Sequence, residues 1–176
     1  PATIEIQSNI DPDCETILAE PTQIHQVVMN LCTNAYHAMG DAGGVLYVSL
    51  VPTHIAQNED LERAELLPGD YVKLSVIDTG EGISQDLHER IFEPYYTTKG
   101  VGAGTGMGLA MVHGIVDEHN GVIFLESTVG EGTTFEVYLP VSRGESETEL
   151  MLKKNMLPQG NSTILVLDDE EPIVHV

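Results

Sequence analysis

The chain has 176 residues, 41% of them hydrophobic, which suits one ordinary domain with an apolar core and a fragment of a second. Its 28 acidic and seven basic residues give a formal net charge of -21, which argues against binding to nucleic acid or to an anionic membrane surface. The sequence shows no secretory leader and no apolar run long enough to span a bilayer. We expect a cytoplasmic piece without direct membrane contact, and a membrane anchor elsewhere in a longer parent chain stays open. Cys14 and Cys32 lack the spacing of a zinc site, so we expect both to be buried as small apolar residues.

The first third of the chain reads as two short strands, a long helix and a further strand. Strand patterns at residues 3–6 and 16–19 flank a turn at residues 11–13. A proline then opens a helical pattern over residues 21–39, with an apolar face at the expected spacing. A glycine-containing turn leads into the strand pattern of residues 45–51.

Beside the apolar face of this helix runs a polar stripe, in which Gln26, Asn30 and Asn34 follow one another at four-residue spacing. Asparagine is a mediocre helix former, because its side chain competes for local backbone hydrogen bonds, so two of them one turn apart need an explanation. Either each amide satisfies a neighbouring loop, or the amide oxygens are presented to a hydrated magnesium ion that bridges phosphates. Magnesium would supply the cation that this acidic chain otherwise lacks.

The strand predicted over residues 71–77 ends in Asp78, followed closely by Gly80 and Gly82. An aspartate at a strand end before two glycines can form a turn and nothing more. Alternatively, its carboxylate accepts a hydrogen bond from the exocyclic amine of adenine, while the glycines let the ring approach the backbone.

Ser84 can cap a short helix that extends through residue 91, and the segment at residues 92–99 follows. This segment has the composition of a mobile loop. Its last residue, Lys99, is the best-placed cation for a phosphate group, although it can equally be a solvated surface lysine.

A glycine-rich run at residues 100–108 leads directly into a helical pattern from Met107 to His119. Bare amides at a helix N-terminus, together with the helix dipole, favour an anion such as a phosphate chain. Glycine-rich turns also serve plain loop closure, so the run alone does not establish a phosphate site.

The last ordered pattern is a strand pair at residues 122–126 and 133–139, joined by a turn at residues 129–132. Residues 141–162 are acidic and poor in apolar residues, which is typical of a linker. Residues 163–167 then form an apolar strand pattern that ends in Asp168 and Asp169.

Taken together, these motifs resemble the ATP-binding catalytic domain of sensor histidine kinases, in the superfamily that includes gyrase B, Hsp90 and MutL. The helix stripe resembles the N box, the Asp78 turn the G1 box, residues 92–99 the F box, and residues 104–109 the G2 box. Gly132-Thr133-Thr134-Phe135 matches the final strand pair of the family. The resemblance implies an α/β sandwich of the Bergerat type, in which a mixed, mostly antiparallel sheet carries helices on one face and ATP lies under a lid.

By this resemblance, Asn34 is the magnesium ligand, Asn30 lies near the phosphates or the metal's water shell, and Asp78 recognises adenine. The resemblance also implies a set of further nucleotide-binding residues: His37, Gly80, Gly82, Thr97, Thr98, Lys99, Gly102, Gly104, Thr105, Gly106, Met107, Gly108, Leu109 and Thr134. His37 and Lys99 would assist catalysis beside the phosphates. Gln26 stands where some relatives place a glutamate that activates water, and an amide is a poor general base, so we do not expect fast ATP hydrolysis.

The end of the chain carries a second resemblance, to the first strand of a response-regulator receiver domain with Asp168 and Asp169 as its acidic pair. The predicted organisation is a catalytic domain at residues 1–140, a linker at 141–162, and a truncated receiver strand at 163–176. It implies that the parent is a hybrid histidine kinase.

The expected function is transfer of the γ-phosphate of ATP to a histidine on a dimerisation domain outside this chain, because none of the seven histidines has the phosphoacceptor context. We therefore expect a kinase fragment that does not autophosphorylate without that domain, with a receiver domain or response regulator as the next partner. Two alternatives stay open: a nucleotide-binding module that has lost transfer activity, and an ATPase of the gyrase or MutL type.

Overall fold

The computed structural model describes residues 3–56, 66–97 and 105–142, all of which belong to one compact unit, Pro1–Ser142. Four predicted site residues, Thr98, Lys99, Gly102 and Gly104, lie outside the described residues. The same is true of the predicted linker from residue 143 onward and of the predicted receiver strand.

A five-stranded mixed sheet forms one layer of the domain. Its strands are β1 (Ile4–Ile10), β2 (Gly44–Ile55), β3 (Gly69–Asp78), β4 (Val122–Thr128) and β5 (Gly132–Pro140), in the spatial order β1-β2-β3-β5-β4. β1 pairs with β2 in parallel, and the other three pairings are antiparallel. This mixed, mostly antiparallel sheet confirms the predicted fold class.

Two helices, α1 (Pro21–Met39) and α2 (Gly108–Glu118), form the second layer on one face of the sheet. α1 begins where predicted because the Glu20 carboxylate accepts a hydrogen bond from the Gln23 N–H at 2.9 Å and proline occupies the first helical position. It ends at Gly40, whose φ of +51° departs from helical geometry.

The core lies between the two layers and is built from the apolar stripes of both helices and alternate residues of the central strands. Its fully covered members include Leu31 of α1, Val112 of α2 and Val137 of β5, each with 0% exposed surface. Cys32 packs against this core as predicted, whereas Cys14 is partly exposed, and both are free thiols.

Two local predictions were wrong. Residues 16–19 form no strand in the described structure, where Ile17 makes only an isolated bridge to Val141. Ser84 does not begin an α-helix, because the segment folds into two short 3₁₀ turns, Gln85–Leu87 and Arg90–Phe92, and its side chain caps neither among the described residues. No helix in the described ranges has both the length and the apolar character needed to cross a bilayer.

Candidate functional site

A pocket of about 540 Å³ lies among α1, the end of β3, the start of α2 and β5, a volume typical of small-molecule sites. Ten predicted site residues line it: Asn30, Asn34, His37, Asp78, Gly82, Thr97, Thr105, Gly106, Gly108 and Leu109. Residues from four separate motifs therefore meet around one cavity, although up to 79 positions separate them in the chain.

Asp78 is the buried charged group of this pocket, with 5% of its surface exposed. The Gly80 N–H donates to its Oδ1 at 2.8 Å, and the Thr133 N–H also donates to the carboxylate. Burial raises the pKa of Asp78 above its ordinary value, and these two N–H groups oppose the rise because they stabilise the charged form. The result is a fixed hydrogen-bond acceptor in a pocket whose lining also includes the apolar side chains of Ile91 and Phe135.

The two glycines after Asp78 serve different contacts. At Gly82, where φ is +70°, a side chain would collide with the Thr128 backbone. At Gly80, a Cβ would lie 2.7 Å from the Ala38 carbonyl carbon, so this glycine allows the loop to pack on α1. Gly80 is not among the described pocket-lining residues, and its contact with the ligand remains a prediction.

Thr133, and not the predicted Thr134, is the threonine of β5 that lines the pocket. It stands opposite Asp78 in the pairing of β3 with β5, while Thr134 pairs with Ile77. Because side chains alternate along a strand, Thr134 lies on the other face of the sheet. The strand pairing is the signal that separates the two residues, and the motif Gly132-Thr133-Thr134 alone does not contain it.

Asn30, Asn34 and His37 of α1 line the pocket together with Gly108, the first residue of α2. The Asn30 Nδ2 atom is buried and has no hydrogen-bond partner within the described residues. A Cβ on Gly108 would lie 3.5 Å from Asn30 Oδ1, so the start of α2 approaches this amide closely. No side chain of the described residues caps α2, and a helix start of this kind can hold an anion through its first N–H groups.

Tyr95 and Gly106 flank the segment that the resemblance assigns to the lid, here called the lid segment, and their backbones are joined. The Tyr95 N–H donates to the Gly106 carbonyl oxygen at 2.9 Å, and both residues have left-handed backbones, with φ of 68° and 66°. Tyr96 lines the pocket, and the Arg90 guanidinium lies 4.5 Å from the centre of its ring. We refer to the contact between Tyr95 and Gly106 as the lid joint.

Besides Gly80 and Thr134, two further predicted residues are absent from the described lining of the pocket. Gln26 is exposed on α1, and Met107, at the N-terminal end of α2, is 43% exposed. Several lining residues were missed by sequence reasoning: Thr33, Ala38, Glu81, Ile83, Ser84, Leu87, Ile91, Tyr96, Val129, Thr133 and Phe135. Most of these carry no polar signal of their own, since their contribution depends on tertiary packing. Within the described ranges, no group of three His, Cys, Asp or Glu side chains could hold a metal ion.

Residues 19–143 match the family described as histidine kinase-, DNA gyrase B-, and HSP90-like ATPase. Sensor kinase CckA of Brucella abortus (strain 2308) is 37% identical over 179 residues, which cover 97% of this chain and 19% of that protein. Sensor histidine kinase ZraS of Escherichia coli (strain K12) is 37% identical over 79% of this chain and 26% of its own length. The chain thus spans about a fifth to a quarter of these curated relatives.

Solved structures agree with these sequence matches. The catalytic domain of histidine kinase ThkA superposes with a TM-score of 0.59 at 32% identity, covering 78% of this chain and 79% of that one. Full-length ShkA in complex with AMPPNP superposes with a TM-score of 0.60 at 28% identity, covering 78% of this chain and 25% of that one. The chain therefore belongs to the histidine kinase-, gyrase B- and HSP90-like ATPase family, and it is an ATP-binding catalytic domain of the sensor histidine kinase type.

Proposed function

We propose that this domain transfers the γ-phosphate of ATP to a histidine on a dimerisation domain of the same parent protein. In this reaction a histidine nitrogen bonds to the γ-phosphorus, the bond from that phosphorus to the β–γ bridging oxygen breaks, and ADP leaves. The observation that carries the proposal is the buried Asp78 acceptor in the same pocket as two groups without a partner among the described residues, the Asn30 Nδ2 atom and the uncapped start of α2.

Asp78 would accept a hydrogen bond from the exocyclic amine of adenine, and the uncapped N–H groups of α2 would hold phosphate oxygens. Lys99 would add positive charge beside the phosphates, which matters in a chain of net charge -21, and His37 would approach them from α1. Phosphoryl transfer needs positioning and charge neutralisation more than covalent work by the protein, and these residues supply both.

The donor set fits a magnesium ion held mainly by phosphates and water. Amide oxygens such as that of Asn34 are hard ligands of the type magnesium takes. The unpartnered atom of Asn30 in the described structure is Nδ2, an N–H donor that suits a phosphate oxygen or a water and not the metal itself. Bound magnesium would offset the negative charge of the phosphate oxygens. Asn34 would be its protein ligand, and Asn30 would orient a phosphate or a coordinated water.

Hydrolysis of ATP is a weaker candidate activity. Gln26 is exposed and lies outside the described lining of the pocket, and an amide is a poor base for activating water. A module that binds nucleotide without transferring phosphate would share every contact described above, so the transfer assay decides between the two.

The test uses a longer protein that includes the upstream dimerisation domain, incubated with γ-labelled ATP and magnesium. We expect a labelled histidine in the wild type and at least about a hundredfold slower labelling in Asn34→Ala, since loss of a metal ligand removes charge neutralisation. Asn9→Ala, on the exposed edge strand β1, is the matched control. Binding of ATP without labelling of any histidine would support the transfer-inactive module instead.

For the remainder of the chain, we propose a linker at residues 141–162 and the beginning of a receiver domain at residues 163–176. The match to sensor kinase CckA extends over 97% of this chain and so includes this region. A parent protein that accepts no phosphate on an aspartate downstream of residue 176 would refute the receiver assignment.

A further inference from the structure

Ser127, near the end of β4, is a hydrogen-bond junction that belongs to none of the sequence motifs. The Ile83 N–H donates to its Oγ at 2.8 Å. Its Oγ donates to the Gly132 carbonyl oxygen at 2.9 Å and lies 3.0 Å from the Thr133 Oγ1. Ser127 itself is not among the described pocket-lining residues, but two of these partners, Ile83 and Thr133, are.

The direction of each hydrogen bond follows from counting protons. A serine hydroxyl has one proton and two lone pairs. The Gly132 carbonyl can only accept, so it takes the Ser127 proton, while the Ile83 N–H occupies one lone pair. The remaining lone pair can face the Thr133 hydroxyl only if Thr133 is the donor.

Thr133 therefore has its proton committed to Ser127. Towards a ligand, or a water molecule that bridges to a ligand, its Oγ1 offers lone pairs alone. Asp78 beside it is also an acceptor, since the Gly80 and Thr133 N–H groups hold its carboxylate. This end of the pocket thus presents acceptors on both residues.

We propose that Ser127 is a positioning residue that sets nucleobase specificity by orienting the Thr133 hydroxyl. This inference rests on the nucleotide-binding function proposed above. An acceptor-only wall favours a base edge that presents a donor, such as a 6-amino group, and disfavours a 6-keto oxygen, because two facing acceptors leave both unpaired.

The loop after Asp78 has a second attachment that does not involve Ser127. The Gly130 N–H donates to the Glu81 carbonyl oxygen at 2.8 Å, and Gly82 packs against the Thr128 backbone. Ser127→Ala removes the acceptor for Thr133 while this backbone contact still holds the loop. The variant therefore changes the polarity of Thr133 more than the shape of the pocket.

The test is calorimetric titration of the 176-residue chain with ADP and with IDP, whose base carries a 6-keto group. We expect the wild type to prefer ADP. In Ser127→Ala, the dissociation constant for IDP divided by that for ADP should fall by about fivefold, which is the effect of one neutral hydrogen bond. Ser127→Thr keeps the hydroxyl and should keep the wild-type ratio.

A double-mutant cycle tests whether Ser127 acts on base specificity through Thr133. Thr133→Val should narrow the ratio by a similar factor, and adding Ser127→Ala to it should change the ratio by less than about twofold. If Ser127→Ala weakens ADP and IDP equally, the serine is merely structural and the inference is wrong. The inference is also wrong if Thr133→Val alone leaves the ratio unchanged. This single variant tests the inference even if Ser127→Ala does not fold. A wild type that binds neither nucleotide would refute the proposed function itself, which is a distinguishable result.

Discussion

From the geometry of the lid joint, we expect Gly106→Ala to weaken nucleotide binding. A Cβ at this position would lie 2.7 Å from the Tyr95 carbonyl oxygen and 2.8 Å from its Cα, well inside the distance that real Cβ atoms tolerate. Both neighbours are backbone atoms, so no side-chain rotation can relieve the contact. The two ends of the lid segment must separate, and the hydrogen bond from the Tyr95 N–H to the Gly106 carbonyl is lost with them.

The cost has two parts. A left-handed φ of 66° is unfavourable for alanine by about 1 kcal/mol, and the lost hydrogen bond removes about 1 kcal/mol more. If nucleotide binding requires the joint to be closed, about 2 kcal/mol corresponds to a loss of about thirtyfold in affinity. Tyr95 is 75% exposed and belongs to neither core cluster, so the thermal unfolding midpoint should change less than the nucleotide affinity.

Gly130→Ala is the matched control for this experiment. Its φ of 85° imposes a similar backbone cost, but no described atom lies within 4 Å of the added Cβ. Calorimetric titration with a non-hydrolysable ATP analogue and magnesium should show weak binding for Gly106→Ala and near wild-type binding for Gly130→Ala. Equal affinities for the two variants would mean that the glycine-rich run is only a connector, and that the joint plays no part in binding.

Two further predictions concern pH and the core. Burial raises the pKa of Asp78 in the folded protein above its ordinary value of 3.8, so folding favours the protonated carboxyl. The protonated form of Asp78 therefore contributes fully to the unfolding free energy below pH 3.8. This contribution is lost as pH rises through the raised pKa of the folded protein. In urea titrations, the unfolding free energy of the wild type relative to Asp78→Asn should fall over that pH window. The affinity for ADP should rise over the same window, as the carboxylate ionises. A difference in unfolding free energy between wild type and Asp78→Asn that does not change with pH would contradict the raised pKa. Leu31→Ala, at a site with 0% exposure, should cost about 2–5 kcal/mol in the same assay, and a loss below about 1 kcal/mol would show that the α1 face is loosely packed.

Much of the fold was predictable because local signals agreed with the tertiary structure. α1 was located at both ends, since Pro21 begins it and Gly40 ends it. α2 ends at Glu118, within one residue of the predicted His119, and Asn120 follows with a left-handed φ of 53°. The failures occurred where a local pattern was weak: residues 16–19 form only an isolated bridge in place of a strand, from Ile17 to Val141, which lies far along the chain.

The site was predictable only in part. In the sequence, Asp78 stands out because it ends a strand before two glycines, and Asn34 because it follows Asn30 by one turn in an apolar helix. The structure places both in the lining of one pocket, and their roles there stay predictions. Thr133 was confused with Thr134 because both follow Gly132, and only the pairing with β3 shows which of them shares a face with Asp78. Ser127 carried no signal at all, since its effect depends on where the protons of three hydrogen bonds lie.

The two ends of the pocket are held by different means, and this difference has a functional consequence. At the base end, the loop after Asp78 is fastened to the turn between β4 and β5 through the bond from the Gly130 N–H to the Glu81 carbonyl and through the Ser127 junction. At the phosphate end, the lid joint rests on one described hydrogen bond between two left-handed residues. If the proposed function holds, a preorganised base end would reduce the ordering cost of binding adenine, whereas left-handed tyrosine is a conformation that contacts across the joint must maintain. Base recognition should therefore survive disruption of the joint, and the loss in Gly106→Ala should be larger for ATP than for adenosine, whose binding does not involve the phosphate end.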